Sequence, residues 1–281
     1  MTDPFGISVV MPVYHAVRPE YLRRAVESIY DQTLSPQEII LVEDGPLTTE
    51  HHDVLHEYAG RRPPLRRVVL SENLGAGPAN QAGVEAALFP WIAKMDADDI
   101  ALPRRFERQI ELLRGGNLDL VGGSMLEFVG PETNVVGTRR MPQHHDAIVR
   151  YAKMNNPVNH PSVMYRRAVA LRVGGYRSLP YLEDYDLIAR MLGAGARMQN
   201  LPDVLMLFRS GEATFARRRA RGMLMAEFRL QRNLRTYGLI NRRRAGFNIV
   251  ARSLYRWLPQ RFMAYTYERM FYRKAVTGSR H

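Results

Sequence analysis

Short apolar runs alternate with helical patterns along the first 130 residues, and that alternation leaves few folds open. Residues 7–14 read as a buried strand, and residues 19–31 as a helix with Leu22, Val26, Ile29 and Tyr30 on one face. The pattern continues with strands expected at 38–42, 65–70, 91–95 and 118–128, and helices at 51–58, 79–88 and 103–113. Strands and helices joined by short links imply an α/β fold: a Rossmann-like, mostly parallel sheet with helices on both faces. In such sheets ligands bind beyond the carboxyl ends of the strands. Asp44 and Asp96 both fall at such ends. Residues 131–210 are less regular. From about Thr214 the chain reads as helical and arginine-rich, with few turn signals before Pro259.

Composition narrows the chemistry. With 281 residues, 46% of them hydrophobic, the chain is able to bury a substantial core. It has no cysteine, which excludes disulfides, thiol catalysis and Cys-bound zinc. No apolar run reaches the roughly 18 residues of a membrane-spanning helix. Asp3 and Pro12 argue against a secretory leader, so a cytoplasmic protein, soluble or peripheral, is expected. The net charge of +12 is uneven. Residues 211–281 carry 17 Lys and Arg against Glu212, Glu227 and Glu268, a balance of +14. The first 210 residues carry 23 basic and 25 acidic side chains, a balance of −2. A tail of this kind selects a polyanion, either nucleic acid or an anionic membrane face.

The strongest local motif is Met95-Asp96-Ala97-Asp98-Asp99. Three carboxylates within four residues repel one another and require a cation or hydrogen-bond donors to stay ionised. A hard divalent ion meets that need, typically through one or two carboxylates plus substrate phosphates. A helix N-terminus is the competing explanation, with Asp98 or Asp99 as its cap, and it accounts for one acid rather than three. Glu43-Asp44-Gly45 is by itself ordinary turn chemistry, raised in interest by its place at a strand end. Asn73-Leu74-Gly75-Ala76-Gly77 precedes a helix but is neither a dinucleotide fingerprint nor a phosphate loop. Glu183-Asp184-Tyr185-Asp186 forms a second acidic cluster, either the stabilised first turn of a helix or a general base at a cleft mouth. His51, His52 and His56 lack a metalloprotease pattern, and their helix reads as solvated. His160 lies in an irregular segment, where function tends to concentrate.

Taken in order, these motifs resemble the family 2 glycosyltransferases of the GT-A fold, in the bacterial branch that builds cell-surface polysaccharides. The resemblance runs from Ser8-Val9-Val10-Met11-Pro12-Val13-Tyr14 through the Asp44 and Asn73 loops to the Asp96 cluster. It then takes in Asn159-His160-Pro161-Ser162, Gly174-Gly175-Tyr176 and Glu183-Asp184. It implies a catalytic unit over residues 1–210, with a nucleotide-binding half to about 130 and an acceptor half from about 131. A basic amphipathic helical tail occupies 211–281. Pro12, Tyr14, Asn73 and Gly75 would line the nucleotide-sugar pocket. Asp44 would accept a hydrogen bond from uracil or thymine, as in a UDP- or dTDP-sugar. Asp96 would lie by the ribose, Asp98 would ligate Mn²⁺ or Mg²⁺, and Asp99 would support the loop. Asp184 would be the catalytic base with Glu183 beside it, and His160 would sit near the donor sugar or the acceptor. The chain departs from the family at Phe208-Arg209-Ser210, where many relatives place a metal-binding histidine after Arg-x.

The activity so implied is metal-dependent glycosyl transfer with inversion, onto a glycan or a lipid-linked acceptor. A nucleotidyltransferase is the first alternative, but the loop at residues 14–18 lacks the basic glycine-rich sequence it needs. Nucleic-acid binding by the tail is the second, and the acidic first unit argues against it. In residues 247–258, Phe247, Val250, Leu254, Trp257 and Leu258 recur at helical spacing with Arg252 and Arg256 on the flank. Such a helix either lies in a membrane interface or packs on the catalytic unit. The resemblance favours the membrane, and with it a peripheral enzyme on the inner face of the cell membrane.

Overall fold

The computed structural model describes residues 3–210 and 222–257. Its elements are, in chain order, β1 (Ile7–Val13), α1 (Pro19–Tyr30), β2 (Glu38–Glu43), α2 (Thr49–His56), β3 (Leu65–Val69), α3 (Ala76–Ala86), β4 (Trp91–Lys94) and β5 (Ile100–Ala101). There follow α4 (Arg105–Arg114), β6 (Leu120–Phe128), β7 (Val135–Arg139), α5 (His145–Tyr151), a 3-10 turn at His160–Ser162, β8 (Met164–Arg166) and α6 (Arg167–Arg172). The last are α7 (Glu183–Gly193), β9 (Met198–Arg209), α8 (Met223–Thr236) and α9 (Arg242–Trp257).

One sheet runs β3-β2-β1-β4-β8-β6-β9-β5, with β7 attached to β6. The first four strands are parallel, as are β6 and β9, while β8, β5 and β7 pair antiparallel. The sheet is covered on both faces because its strands alternate strictly. Val9 and Met11 of β1, with Ile39 and Leu41 of β2, join Leu22, Val26 and Phe106 in one core. Val10, Ile40 and Val42 turn the other way, to Ala79, Val84, Leu187 and Ile188. Period-2 strands buried on both faces read as continuous apolar runs, which is how the alternation was legible. Gly83 of α3 sits where a Cβ would meet Val10 Cγ1 at 2.4 Å, so this helix closes on the sheet only with glycine there.

Four details differ from the sequence reading. Helix α4 begins six residues beyond Asp99, with Arg104 as its N-cap residue, so Asp98 and Asp99 cap no helix. Helix α2 is not solvated at His51, which is buried and bonds Thr48 Oγ1 through Nδ1 and Val17 O through Nε2. The C-terminal helical run breaks at Gly238, whose φ of +76° is left-handed. Arg252 is not on a solvent flank but pairs at 2.9 Å with the fully buried Glu227 and donates to Met154 O.

The C-terminal helices share a core with α7, in which Leu182, Tyr185 and Ala189 meet Ala226, Leu230, Leu234 and Ala245. Its polar centre is Asp186, which is fully buried. Asp186 Oδ1 accepts from Asn233 Nδ2 and Tyr237 Oη, both at 2.9 Å, and Oδ2 accepts from Arg190 Nε at 2.8 Å. Arg190 in turn donates to Val173 O and Gly175 O, each at 2.6 Å. Asp186→Ala would leave the Arg190 charge buried without its carboxylate, at a cost of about 3–5 kcal/mol. Denaturant unfolding should show a loss of that size, and a loss under about 1 kcal/mol would mean that the pair is not fully desolvated.

Candidate active site

The parallel order places the carboxyl ends of β2, β1 and β4 side by side. Val13 pairs with Glu43 and Val10 with Lys94, so Pro12 and Tyr14 lie between the Asp44 loop and the Asp96 loop. Tyr14 is exposed there, and Pro12 is half-buried. Asp44 accepts from Leu74 N at 2.7 Å and Gly75 N at 3.0 Å, tying the end of β2 to the Asn73 loop. That approach is close. A Cβ on Gly45 would meet Asn73 N at 2.7 Å, and the φ of +84° is itself one that glycine favours. Gly75, at φ +87°, then turns the chain into α3, and Asn73 stays exposed at the mouth.

The acidic loop after β4 is sorted by burial. Asp96 and Asp98 are half-buried, whereas Met95, Ala97 and Asp99 point into the protein. Buried Lys94 pairs with Asp96 Oδ1 and also donates to Met95 O at 2.7 Å. Arg209, at the end of β9, clamps the other side. Its backbone N–H donates to Asp99 Oδ1 at 2.9 Å and its Nε to Asp98 O at 3.0 Å, while its guanidinium lies 3.7 Å from the Tyr21 ring centre. Arg105 is buried beneath, donating to Lys94 O at 2.6 Å. Burial lowers its pKa to about 9, against the pull of Asp99 and Asp96, so it stays charged at neutral pH.

Burial, with the charges of Asp98 and Asp96, holds the Asp99 carboxyl well above the usual carboxylate range. Its Oδ2 is buried without a hydrogen-bond partner among the described residues. On the outer side of the same loop the half-buried carboxylates of Asp96 and Asp98 supply the hard oxygen donors that a divalent cation takes. No three His, Asp or Glu side chains among the described residues converge to hold one alone. The protein would thus supply one or two oxygens, leaving the others to a diphosphate and water, as Mg²⁺ prefers.

The second acidic cluster opens α7, and α3 comes close to the loop before it: a Cβ on Gly77 would meet Arg177 O at 2.9 Å. Asp184 Oδ2 accepts from Asn156 Nδ2 at 2.9 Å and Oδ1 from Tyr185 N at 2.6 Å. His160 Nε2 bonds Tyr176 Oη at 2.7 Å. Burial lowers the His160 pKa, which is also influenced by Asp184, Lys94 and Asp96. The Asp96 charge is felt likewise at Glu183 and Tyr176. The two acidic clusters, far apart in sequence, thus share one electrostatic site with His160.

Burial, then the Asp184 and Asp96 charges, push the Glu183 carboxyl up to about 7. The folded protein then holds a proton that the unfolded chain releases near pH 4.5. The resulting stability is complete below that pH and is lost as pH rises through about 7, roughly 3 kcal/mol in all. In metal-free buffer, Glu183→Gln should remove that part of the decline between pH 5 and pH 8. Parallel pH profiles for the two proteins would show that Glu183 titrates normally.

Of the candidate site residues named from the sequence, Pro12, Tyr14, Asp44, Asn73, Gly75, Asp96 and Asp98 lie in or beside the loops at the carboxyl ends of β1, β2, β3 and β4, Glu183 and Asp184 open α7, and His160 lies in the 3-10 turn. Sequence reasoning missed Lys94, Arg105, Arg209, Asn156 and Tyr176 as parts of the site. Lys94 and Arg105 flank the acidic motif and carried a signal in that proximity. Asn156 had only an Asn-Pro turn pattern to mark it.

The sequence profile of Glycosyl transferase family 2 matches residues 8–174. The chain is 35% identical over 266 residues to Amylovoran biosynthesis glycosyltransferase AmsE of Erwinia amylovora, spanning 93% of this chain and 98% of that protein. It is 28% identical over 272 residues to UDP-Gal:alpha-D-GlcNAc-diphosphoundecaprenol beta-1,3-galactosyltransferase of Escherichia coli, spanning 96% and 98%. Among solved structures, S. aureus TarS 1-349 in complex with UDP-GlcNAc has a TM-score of 0.63 at 17% identity, over 81% of this chain and 66% of that one. Mannosyltransferase PcManGT from Pyrobaculum calidifontis, in complex with GDP-Man and Mn2+, has a TM-score of 0.56 at 16% identity, over 82% and 62%. At such identities these likenesses speak to the fold.

Proposed function

The chain belongs to glycosyl transferase family 2, and from that premise we propose that it is a metal-dependent inverting glycosyltransferase of cell-surface polysaccharide synthesis. The carrying observation is the shared electrostatic site, in which Asp96, beside the metal-suited Asp98, influences the Glu183–Asp184 end of α7. The donor is a UDP- or dTDP-sugar, and the acceptor a hydroxyl of a glycan or lipid-linked sugar. The relatives named for amylovoran synthesis and for a diphosphoundecaprenol acceptor support that choice.

Asp44 keeps lone pairs beyond the two spent on the Asn73 loop, since a carboxylate offers about four acceptor sites, and one takes the base N3–H. Pro12, Tyr14, Asn73 and Gly75 wall the nucleotide, and Asp96, held by Lys94, faces the ribose. Asp98 would hold Mn²⁺ or Mg²⁺, with Ser210 or water where relatives place histidine. The chemistry such an ion would supply is neutralisation of the diphosphate charge. Asp184, oriented by Asn156, accepts the proton of the acceptor hydroxyl. The acceptor oxygen bonds to the anomeric carbon as the bond to the β-phosphate oxygen breaks, and the nucleoside diphosphate keeps that electron pair. One base and one displacement invert the anomeric carbon; the arrangement parallels inverting glycosidases, with the ion in place of the general acid. His160 and Tyr176 border the sugar.

Incubation with UDP-sugars and Mn²⁺ should release UDP and stop on chelation. Pyrophosphate release from a nucleoside triphosphate would instead indicate a nucleotidyltransferase. Salt-sensitive RNA or DNA binding without turnover would indicate a nucleic-acid protein.

The C-terminal helices support a peripheral membrane location at the cytoplasmic face. No described helix is long and apolar enough to cross a membrane. Helix α9 turns Ala245, Asn248 and Arg252 inward and exposes Phe247, Val250 and Leu254, while α8 exposes Leu224, Met225 and Phe228. An apolar face left outward beside exposed arginines suits an anionic interface. The side chains of Trp257 and Leu258, and the segment after Pro259, lie outside the described residues. Co-sedimentation should be stronger with anionic than with neutral vesicles, and equal pelleting would reject the location.

A further inference from the structure

A cleft of about 530 Å³ opens where α8 turns into α9. Arg232, Arg235, Thr236, Ile240, Asn241 and Arg242 line it. The three arginines are exposed, and no carboxylate among the described residues pairs with them. Glu227, the one acid of α8, is spent on Arg252 within the core. Three positive charges around one concavity repel one another until an anion enters. The planar guanidinium fork favours phosphate oxygens, which it takes two at a time.

The cleft lies on the outer face of α8, a helix packed against α7. Its helix α8 and the turn at Tyr237 are fixed to α7 by the bonds from Asn233 and Tyr237 to Asp186, two residues from Asp184. Tyr237 O also lies against Gly193, where a Cβ would meet it at 2.8 Å, so α7 and the cleft wall meet closely at that end as well. The exposed apolar residues of α8 and α9 belong to the same two helices.

We propose that this cleft binds the diphosphate that joins lipid to glycan in the acceptor, anchoring the acceptor on the C-terminal helices. The proposal rests on the lipid-linked reading of the acceptor given above. A diphosphate joined at both ends offers the arginines twice the non-bridging oxygens, and twice the charge, of a lone phospholipid phosphodiester. The apolar helix faces alongside take the lipid chain. Thr236 and Asn241 add neutral polar groups at the rim.

The test uses the full chain and does not depend on turnover. Inorganic pyrophosphate is titrated calorimetrically in EDTA, which removes metal-assisted binding at the Asp98 loop. The R232A/R235A/R242A variant should bind pyrophosphate at least tenfold more weakly than the unaltered chain, with UDP–Mn²⁺ affinity unchanged. Vesicles of neutral lipid doped with polyprenyl diphosphate should retain the unaltered chain and lose the variant. Vesicles of neutral lipid doped with phosphatidylglycerol should retain both alike, through the remaining basic residues. Unchanged pyrophosphate affinity in the variant would overturn the proposal. Equal loss from both vesicle types would also overturn it, in favour of a general headgroup contact. A chain without glycosyl transfer that still binds pyrophosphate through these arginines would refute the reaction but keep the anion site.

Discussion

Asp184→Asn is expected to lower turnover by about 10²-fold or more while leaving UDP-sugar affinity unchanged, the scale and pattern for loss of a general base. Asparagine keeps the shape of the side chain, and its one amide oxygen is able to accept from Asn156 at the loss of the bond from Tyr185 N. What it loses is the ability to take the acceptor proton as the new bond forms. Glu183 provides the internal control. Its carboxyl, raised to about 7, is partly protonated at neutral pH and is less suited to act as the ionised partner of Asp184. Steady-state kinetics of both variants decides the assignment. If Asp184→Asn remains active while Glu183→Gln does not, Glu183 is the base.

Asp98→Ala is expected to abolish metal-dependent donor binding. Asp99 faces inward to the backbone of Arg209, and Asp96 is engaged by Lys94. Asp98 is half-buried on the outer side of the loop and is the residue that the family resemblance assigns to the ion. Without it the diphosphate loses its charge-neutralising contact with the protein. Calorimetric titration of UDP with Mn²⁺ should show affinity in the unaltered chain and none that depends on Mn²⁺ in the variant. Unchanged affinity would move the ligand role to Asp96 or elsewhere.

The parallel half of the sheet was legible because β1, β2 and β4 are buried on both faces and their helices carry clear apolar periods. The second half was not. Strands β5 and β8 have two and three residues, too few for any period to show, and β7 has no buried residue. Their places come from pairing with β9, β4 and β6, a long-range effect. The acidic motifs could be read, but their supports could not. Lys94, Arg105 and Asp186 are charged residues that burial turns into parts of the framework, and a sequence shows a charge without showing whether water surrounds it. The tail was legible in its helical period but not in its orientation. Arg252 reads as a flank of the apolar row and is instead the half-buried partner of buried Glu227, while that row faces outward.

A single displacement, by one base at a metal-held nucleotide sugar, is the centre of the proposed mechanism. The measurement that bears on it most directly is the anomeric configuration of the product made from an α-linked UDP-sugar with Mn²⁺, read from the proton coupling at the anomeric carbon. The site predicts a β-linked product, since Asp184 delivers the acceptor from the face opposite the diphosphate. An α-linked product would mean that configuration is retained, and the one-base displacement would be contradicted.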